Sequence, residues 1–216
     1  MSLRSILGWI TGRCLARLTR LITAPRIFWD GSGPEDRQRI YVANHTSNAD
    51  TVLIWAALPP ELRARTRPVA ARDYWHASRI RRFIGDDVFH IVAIDRKKEG
   101  RQQDPVALMS AALDEGSSLI LFPEGQRNTT DAPLLPLKPG IHHLGRAHPG
   151  IDIIPVWIDN LNGVMPKGEI LPVPLICTLR FGAPMHIGEG ETKAEFLARL
   201  EAALTGLAPQ QEDRQT

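Results

Sequence analysis

The sequence predicts an α/β fold, with a single domain built on a mostly parallel central sheet flanked by helices and preceded by an N-terminal amphipathic helix. Short apolar runs typical of buried strands alternate along the chain with segments of helical periodicity. No internal repeat divides the 216 residues, and no domain boundary is evident beyond the N-terminal helix. The predicted organisation is therefore a helix region at 1–30, one domain at 31–208 and a polar, flexible tail at 209–216.

The segment 1–30 is predicted to form a basic amphipathic helix. Its apolar residues share one helical stripe: Leu3, Ile6, Leu7, Ile10, Cys14, Leu18, Leu21 and Ile22. The charged residues before residue 30 are all arginines: Arg4, Arg13, Arg17, Arg20 and Arg26. Such a helix can lie in a membrane interface, where its apolar area and its attraction to anionic lipid would both contribute. Periodicity alone also allows it to pack the stripe on its own domain, and the acid-free arginine pattern favours the membrane.

The remaining elements follow in order, after a turn or linker at 31–34. Strands are predicted where short apolar runs are bounded by polar or turn residues, at 39–43, 67–71, 88–94, 118–122, 152–158 and 176–181. Helices are predicted at 48–58, 78–84, 105–115, 140–147 and 193–206. The clearest start signals are Asp104-Pro105 and the capping box Thr192-Lys193-Ala194-Glu195.

Composition limits the classes of protein. The hydrophobic share of 43% and the charged share of 23% are typical of a globular chain, and a net charge of +2 is too small to indicate nucleic-acid binding. Cys14 and Cys177 suggest no disulfide framework and are compatible with a reducing compartment. No apolar run approaches the roughly 18–20 residues of a membrane span, and the N-terminus does not resemble a cleavable signal peptide. We expect a peripheral membrane association on the cytoplasmic face.

Polar clusters follow four of the predicted strands, at 44–50, 95–98, 124–127 and 159–160. In parallel sheets the functional residues gather at the carboxyl ends of the strands, where the loops leave the sheet. The sequence therefore predicts one site at that edge.

His45 and Asp50 are the first candidate pair at this edge. Residues five apart on a regular helix do not face each other, so contact requires His45 in the loop and Asp50 in the first helical turn. A helix that begins at Asn48, with Ser47 as its cap and Asp50 as the capping-box acid, gives that layout. Asp50 would then orient His45 as a general base. The alternative is a helix cap beside an ordinary strand-end histidine, and the spacing leaves both open.

The clusters at 124–127 and 95–98 contain residues of the kind that bind an anion. Gly125 follows a buried strand and lets backbone approach a ligand. Arg127 offers a guanidinium suited to phosphate, and Glu124 suits a polyol hydroxyl or an arginine. Arg96, in the basic run 96–98, and Lys138 are further candidate phosphate contacts. Each of these charged residues is also compatible with an ordinary solvated surface.

Motifs for metals and nucleotides are lacking in the sequence. His142 and His143 are adjacent and cannot both face one metal from a helix, and no His-x-x-x-His or Cys-x-x-Cys spacing occurs. There is also no P-loop, no Gly-x-Gly-x-x-Gly and no Gly-x-Ser-x-Gly. We expect no metal site.

Taken in order, the clusters resemble the motifs of the glycerolipid acyltransferase family, which includes 1-acylglycerol-3-phosphate acyltransferases. The matching segments are Asn44-His45-x-Ser47-x-x-Asp50, Ile94-Asp95-Arg96, Phe122-Pro123-Glu124-Gly125-x-Arg127, Ile153-Ile154-Pro155-Val156 and Lys138-x-Gly140. The resemblance covers roughly residues 39–182. The chain departs from the family pattern at Gln126 and Asn128, where Thr and Ser are common, and in the segment 89–93 before the second motif.

The resemblance implies an O-acyltransferase of phospholipid biosynthesis. It would move a fatty acyl group from a thioester, acyl-CoA or acyl carrier protein, to the hydroxyl of a lysophosphatidate or related lysophospholipid, without a further cofactor. It implies that His45 and Asp50 are the catalytic pair and that 31–208 is the acyltransferase domain. The substrate-binding residues it implies are Arg96, Glu124, Gly125, Arg127 and Lys138. An aminolipid acceptor, a thioesterase or other lipid hydrolase with the same His-Asp pair, and a non-catalytic lipid-binding protein remain alternatives.

Overall fold

A mixed seven-stranded sheet organises the molecule. The computed structural model describes residues 2–95, 103–160 and 177–209. Within these ranges the strands are β1 Arg26–Trp29, β2 Arg39–Ala43, β3 Thr66–Ala71, β4 Val92–Ile94, β5 Ser118–Leu121, β6 Asp152–Asp159 and β7 Thr178–Phe181. Their order is β1-β7-β6-β2-β5-β3-β4. All neighbours are parallel except β6 and β7, so the predicted α/β class with a mostly parallel sheet is confirmed.

Helices cover both faces of this sheet. In the described ranges they are α1 Leu3–Thr23, α2 Asp50–Ala57, α3 Pro60–Ala64, α4 Arg72–Trp75, α5 Arg79–Phe83, α6 Pro105–Asp114, α7 Gly140–Ala147 and α8 Lys193–Gly206. A π-helical turn at Ile84–Val88 follows α5. The capping box predicted at Thr192 and Glu195 opens α8.

Three short elements were not predicted, and the strand predicted at 88–94 is less than half as long as expected. β1, α3 and α4 have only four or five residues, too few for a periodic signal. β4 begins at Val92 instead of residue 88 because Val88 belongs to the π-helical turn. His90 has a φ of 50°, which is incompatible with an extended strand.

The two faces of the sheet feed two hydrophobic clusters. All five residues of β2 are buried. Tyr41 and Ala43 point to the cluster that includes residues of α1 and α2, while Ile40 and Val42 point to the cluster covered by α6, α7 and α8. Burial on both faces explains why the central strands read as continuous apolar runs in the sequence.

α1 docks on the domain through small residues. Its buried residues are Gly8, Gly12, Ala16 and Thr23. A side chain at Gly8 would collide with the Asp87 carbonyl of the π-helical turn, and one at Gly12 would press on Trp55. The backbone of α1 therefore approaches the domain closely at these positions.

The predicted apolar stripe of α1 largely points away from the domain. Its exposed large side chains are Leu3, Ile6, Leu7, Ile10, Leu18 and Leu21, and Trp9 beside them is 57% exposed. Ile22 is the stripe residue that packs on the core. Periodicity had also allowed α1 to bury the whole stripe on its own domain. The structure does not have that arrangement. Among the described helices, none has the apolar run that a membrane span requires.

Candidate active site

A cavity of about 420 Å³ opens at the carboxyl edge of the sheet. It is lined by residues at or just beyond the ends of four neighbouring strands: His45 after β2, Ala71 of β3, Ile94 of β4 and Phe122 after β5. Parallel strands bring their ends to one edge, so segments far apart in the chain meet here.

The backbone around His45 is anchored on both sides. The side-chain amide of Asn44 donates to the Ile158 carbonyl at 3.0 Å and accepts from the Ile158 N–H at 2.8 Å. The His45 N–H donates to Glu124 Oε1 at 2.7 Å, and its carbonyl accepts from the Asn128 N–H at 2.6 Å. These bonds fix where the His45 side chain leaves the loop.

His45 and Asp50 are in direct contact. His45 Nδ1 lies 2.8 Å from Asp50 Oδ2, and the same oxygen accepts the N–H groups of Thr46 and Ser47 at 2.7 and 2.8 Å. The Asp50 side chain is fully buried in the first turn of α2, where backbone N–H groups stabilise its charge. With Nδ1 engaged, Nε2 is the ring nitrogen available for chemistry, and no described residue bonds to it. The ring stacks on Phe122 at 4.2 Å and stays 19% exposed.

The capping box predicted for α2 is wrong in its register. α2 begins at Asp50, two residues later than predicted, and its cap residue Ala49 makes no side-chain cap. Ser47 Oγ instead accepts the Ala49 N–H at 3.2 Å, while Asp50 accepts the Ser47 N–H. The predicted layout, with His45 in the loop and Asp50 in the first turn, is nevertheless present.

Glu124 lies beneath the site rather than in the cavity. Its side chain is buried, with Oε1 on the His45 N–H and Oε2 on the Leu135 N–H at 2.9 Å. Burial raises the pKa of the Glu124 carboxyl above its ordinary value, against the opposing effect of the two N–H donors. Both oxygens are therefore engaged in joining the His45 loop to the 131–139 segment. Direct contact between Glu124 and the lysolipid substrate, which its motif implies, does not fit this geometry.

Gly125, Arg127 and Lys138 come together at the rim. Gly125 has a φ of 69°, and any Cβ there would collide with the Lys138 side chain. The Lys138 N–H donates to the Pro123 carbonyl at 2.8 Å, which holds the two segments side by side. Arg127 is exposed and lines the cavity. Arg96, the remaining predicted basic residue, lies outside the described residues.

The sequence reasoning missed part of the cavity wall. Tyr74 and Trp75 of α4 line it, as does Thr51 of α2. Their position could have indicated this role, because α4 directly follows the carboxyl end of β3. They were missed because no polar cluster was recognised there. Asn44 and Asn128 were likewise given no separate role, although both anchor the His45 loop. Nowhere in the described ranges do three or more His, Cys, Asp or Glu side chains gather as a metal site would require.

The segment that forms this site matches a known family. The model of the family described as "Acyltransferase" matches residues 30–159, which include all of the described site residues. The chain belongs to the acyltransferase family. The resemblance to glycerolipid acyltransferases is thereby confirmed at the level of the family.

Curated relatives of this acyltransferase-family chain include two plant proteins named 1-acyl-sn-glycerol-3-phosphate acyltransferase. The one from Limnanthes douglasii is 26% identical over 189 residues, covering 85% of this chain and 63% of the relative. The one from Cocos nucifera is 25% identical over 189 residues, covering 87% of this chain and 57% of the relative. The chain therefore spans about three fifths of the length of these relatives.

A solved structure shares the fold. The crystal structure of the 1-acyl-sn-glycerophosphate (LPA) acyltransferase PlsC from Thermotoga maritima superposes with a TM-score of 0.69 at 20% identity. The match covers 95% of this chain and 80% of that one.

Proposed function

We propose that this chain transfers a fatty acyl group from a thioester to the hydroxyl of a lysophosphatidate or related lysophospholipid, in phospholipid biosynthesis. The proposal rests on the contacts of His45. Its Nδ1 is hydrogen-bonded to buried Asp50, and its ring lines a cavity that Arg127 also lines. The names of the plant relatives support the same acceptor class. The acyl donor is acyl-CoA or acyl carrier protein, and the proposal requires no further cofactor.

In the proposed reaction His45 acts as the general base. Its Nδ1–H donates to Asp50 Oδ2, so Nε2 carries the lone pair that removes the proton from the acceptor hydroxyl. The acceptor oxygen attacks the thioester carbonyl, the new C–O bond forms and the C–S bond breaks. The proton on Nε2 then passes to the leaving thiolate. Asp50 stabilises the imidazolium between the two proton transfers, and no acyl-enzyme forms.

The acceptor phosphate is held at the rim of the cavity. Arg127 supplies a guanidinium there, and the ammonium of Lys138 lies against Gly125. Arg96 is the third cation that we assign to this phosphate, on the strength of its motif. The apolar wall that includes Val69, Leu121 and Trp75 suits an acyl chain.

The test is a donor-by-acceptor activity matrix on the purified chain and its His45→Ala variant, with acyl-CoA and acyl carrier protein across several lysolipids. General base catalysis typically contributes about 10²–10⁴-fold, so turnover should fall at least 100-fold. His148→Ala, which removes a partly buried histidine outside the cavity, is the matched control. Near wild-type turnover by His45→Ala would refute the mechanism. Thioester cleavage that is independent of lysolipid would identify a hydrolase instead.

We also propose that α1 holds the enzyme on the cytoplasmic face of a membrane as a peripheral protein. Seven of the nine exposed large hydrophobic residues in the described ranges belong to α1. The helix docks through its small residues, so these side chains are left on the outer surface. Apolar area of this kind, beside arginines, favours insertion into the interface of an anionic bilayer.

The exposed face of α1 is tested by a triple substitution, Leu7→Gln, Leu18→Gln and Leu21→Gln. Burying a leucine is worth about 1.5–3 kcal/mol, so even partial insertion of three side chains predicts a loss of more than tenfold in binding to anionic vesicles by sedimentation. Ile80→Gln, at a 74% exposed isoleucine of α5, is the matched control. Unchanged vesicle binding by the triple variant would contradict the proposal.

A further inference from the structure

A second cavity lies against α1, at the other end of β3 from the candidate active site. It also measures about 420 Å³. Thr66, the first residue of β3, lines it, whereas Ala71, the last, lines the active-site cavity. Five strand steps separate these residues by about 16 Å. The two cavities are therefore distinct, and nothing in the proposed acyl transfer uses the second one.

The wall of this second cavity combines aromatic and cationic side chains. Trp9, Trp55 and Phe89 form its aromatic wall, and Arg13 and Arg63 lie beside them. A smaller adjoining cavity of about 210 Å³ shares these two arginines and adds Arg17 and Arg20. We call the two together the arginine cavity.

The arginine cavity has an excess of positive charge. In the described part of the chain, none of its four arginines forms an ion pair with a carboxylate. The one acid in its wall, Asp87, is already paired with Arg4 at 2.6 Å. Glu61, on α3, is exposed and acts on Arg63 only as a weak opposing charge.

Arg63 is half-buried and held in place by its neighbours. It donates to the Leu58 carbonyl at 2.9 Å and lies over the Trp55 ring at 5.1 Å, while its Nε is buried without a partner among the described residues. Burial, and then the charges of Arg20 and Arg13, lower the pKa of Arg63 below its ordinary value. A site that concentrates cations in this way gains free energy when it takes up an anion.

We propose that the arginine cavity binds the phosphate group of an anionic phospholipid, with Arg13 and Arg63 on the phosphate and the apolar part of the lipid against Trp9 and Trp55. The aromatic wall is what favours a lipid over free phosphate. On α1, Arg13 and Arg20 follow one border between the docked face and the exposed apolar face, and Arg17 lies beside them. That border meets the headgroup level when the apolar face enters a bilayer. The site does not depend on the proposed acyl transfer.

The test uses a soluble short-chain lipid, so that it separates site binding from general membrane attraction. Isothermal titration with dihexanoyl phosphatidylglycerol below its micelle concentration should give saturable one-to-one binding to the full chain. This phosphodiester is neither the acceptor nor the product of the proposed reaction. Dihexanoyl phosphatidylcholine and inorganic phosphate should each bind at least tenfold more weakly.

Two kinds of variant locate the binding. Arg13→Gln and Arg63→Gln should each weaken it about tenfold or more, since a hydrogen bond to a charged group is worth about 1.5–3 kcal/mol. Arg26→Gln is the control for net charge, at an exposed arginine outside the cavity. Ala64→Glu adds a repelling carboxylate to the rim without removing any arginine, and Ala64→Gln is its neutral match.

The outcomes are separable from those for acyl transfer. Arg13→Gln and Ala64→Glu should keep wild-type turnover on soluble substrates while losing phosphatidylglycerol binding. Equal binding of both lipids, equal affinity for inorganic phosphate, or affinity unchanged by Arg13→Gln and Ala64→Glu would each overturn the lipid assignment. Circular dichroism and the melting temperature identify any variant that fails to fold.

Discussion

Replacing Asp50 by Asn removes a charge and keeps an acceptor. Asp50 Oδ2 takes three donors, while Oδ1 is buried without a partner among the described residues. The amide oxygen of Asn should therefore occupy the Oδ2 position, with its nitrogen at Oδ1. His45 keeps its hydrogen bond and tautomer. What the variant loses is the attraction between the carboxylate and the imidazolium that forms when His45 takes up the proton.

The size of that loss follows from the geometry. With Nδ1 and Oδ2 at 2.8 Å, the two charge centres lie about 4 Å apart, and at an effective dielectric constant of about 20 they attract by about 4 kcal/mol. Since 1.36 kcal/mol is tenfold in rate, kcat should fall by about 10²–10³-fold. KM for the lysolipid should change little, because Asp50 does not reach the cavity.

Steady-state kinetics with saturating thioester measure the separate effects on kcat and on KM. Melting temperatures report whether the hydrogen bonds to residue 50 are retained. Asp50→Ala, which leaves three donors without their acceptor, should lower the melting temperature clearly more than Asp50→Asn does. A kcat within a factor of three of wild type in Asp50→Asn would refute the electrostatic role. A melting temperature as low as that of Asp50→Ala would refute the retained hydrogen bonds.

Two further carboxyl groups give separate predictions. Glu124→Gln turns an amide nitrogen toward a backbone N–H, which costs about 1.5–3 kcal/mol and lowers the melting temperature by about 3–12 °C. Activity should fall by the same factor with every lysolipid acceptor. A rise in KM for one acceptor alone, absent from the Glu115→Gln surface control, would instead indicate direct contact between Glu124 and that acceptor. The Arg199 guanidinium lowers the pKa of Glu191 to about 2, so the stabilisation by this carboxylate is complete well above pH 4.5 and is lost as the pH falls toward 2. The melting temperature of Glu191→Gln should therefore fall less steeply than that of wild type over that interval, and parallel curves would contradict the assignment.

Burial explains which parts of the fold could be predicted. β2 and α7 were placed at their observed bounds, because a buried apolar run or a clear apolar face leaves a periodic signal in the sequence. α3 and α4 could not be found in that way, since helices of four or five residues are stabilised by their surroundings more than by their own sequence. β1 is the edge strand beside β7 and alternates between exposed and half-buried residues over just four positions.

The candidate site was predictable in position and only partly in direction. Strand ends located His45, Gly125 and Arg127 at one edge. The same reasoning could not tell that the Glu124 side chain turns inward to backbone N–H groups, because a motif position does not state which way a side chain points. Its loop partner Leu135 lies in a proline-rich segment with no regular pattern.

α1 was predicted correctly as a helix, but the face that packs on the domain was not. The prediction considered the apolar stripe, whereas α1 docks through Gly8, Gly12 and Ala16, at spacings of four. Small residues so spaced allow close helix packing, and that pattern was present in the sequence. The stripe and the docking face are different sides of one helix, so membrane contact and packing on the domain are compatible.

Arg20 makes α1 a structural part of the acyltransferase domain. Its guanidinium donates to the carbonyls of Ala56, Ala57 and Leu58 at 2.7–3.3 Å, at the carboxyl end of the helix that begins at Asp50. Ala16 also belongs to the same core cluster as that helix. Deleting residues 1–22 would therefore remove the donor to these three carbonyls and core contacts of α2, and lost activity would say nothing about the membrane. Substitutions confined to the exposed face separate the two roles, because they leave Arg20 and the docked glycines in place.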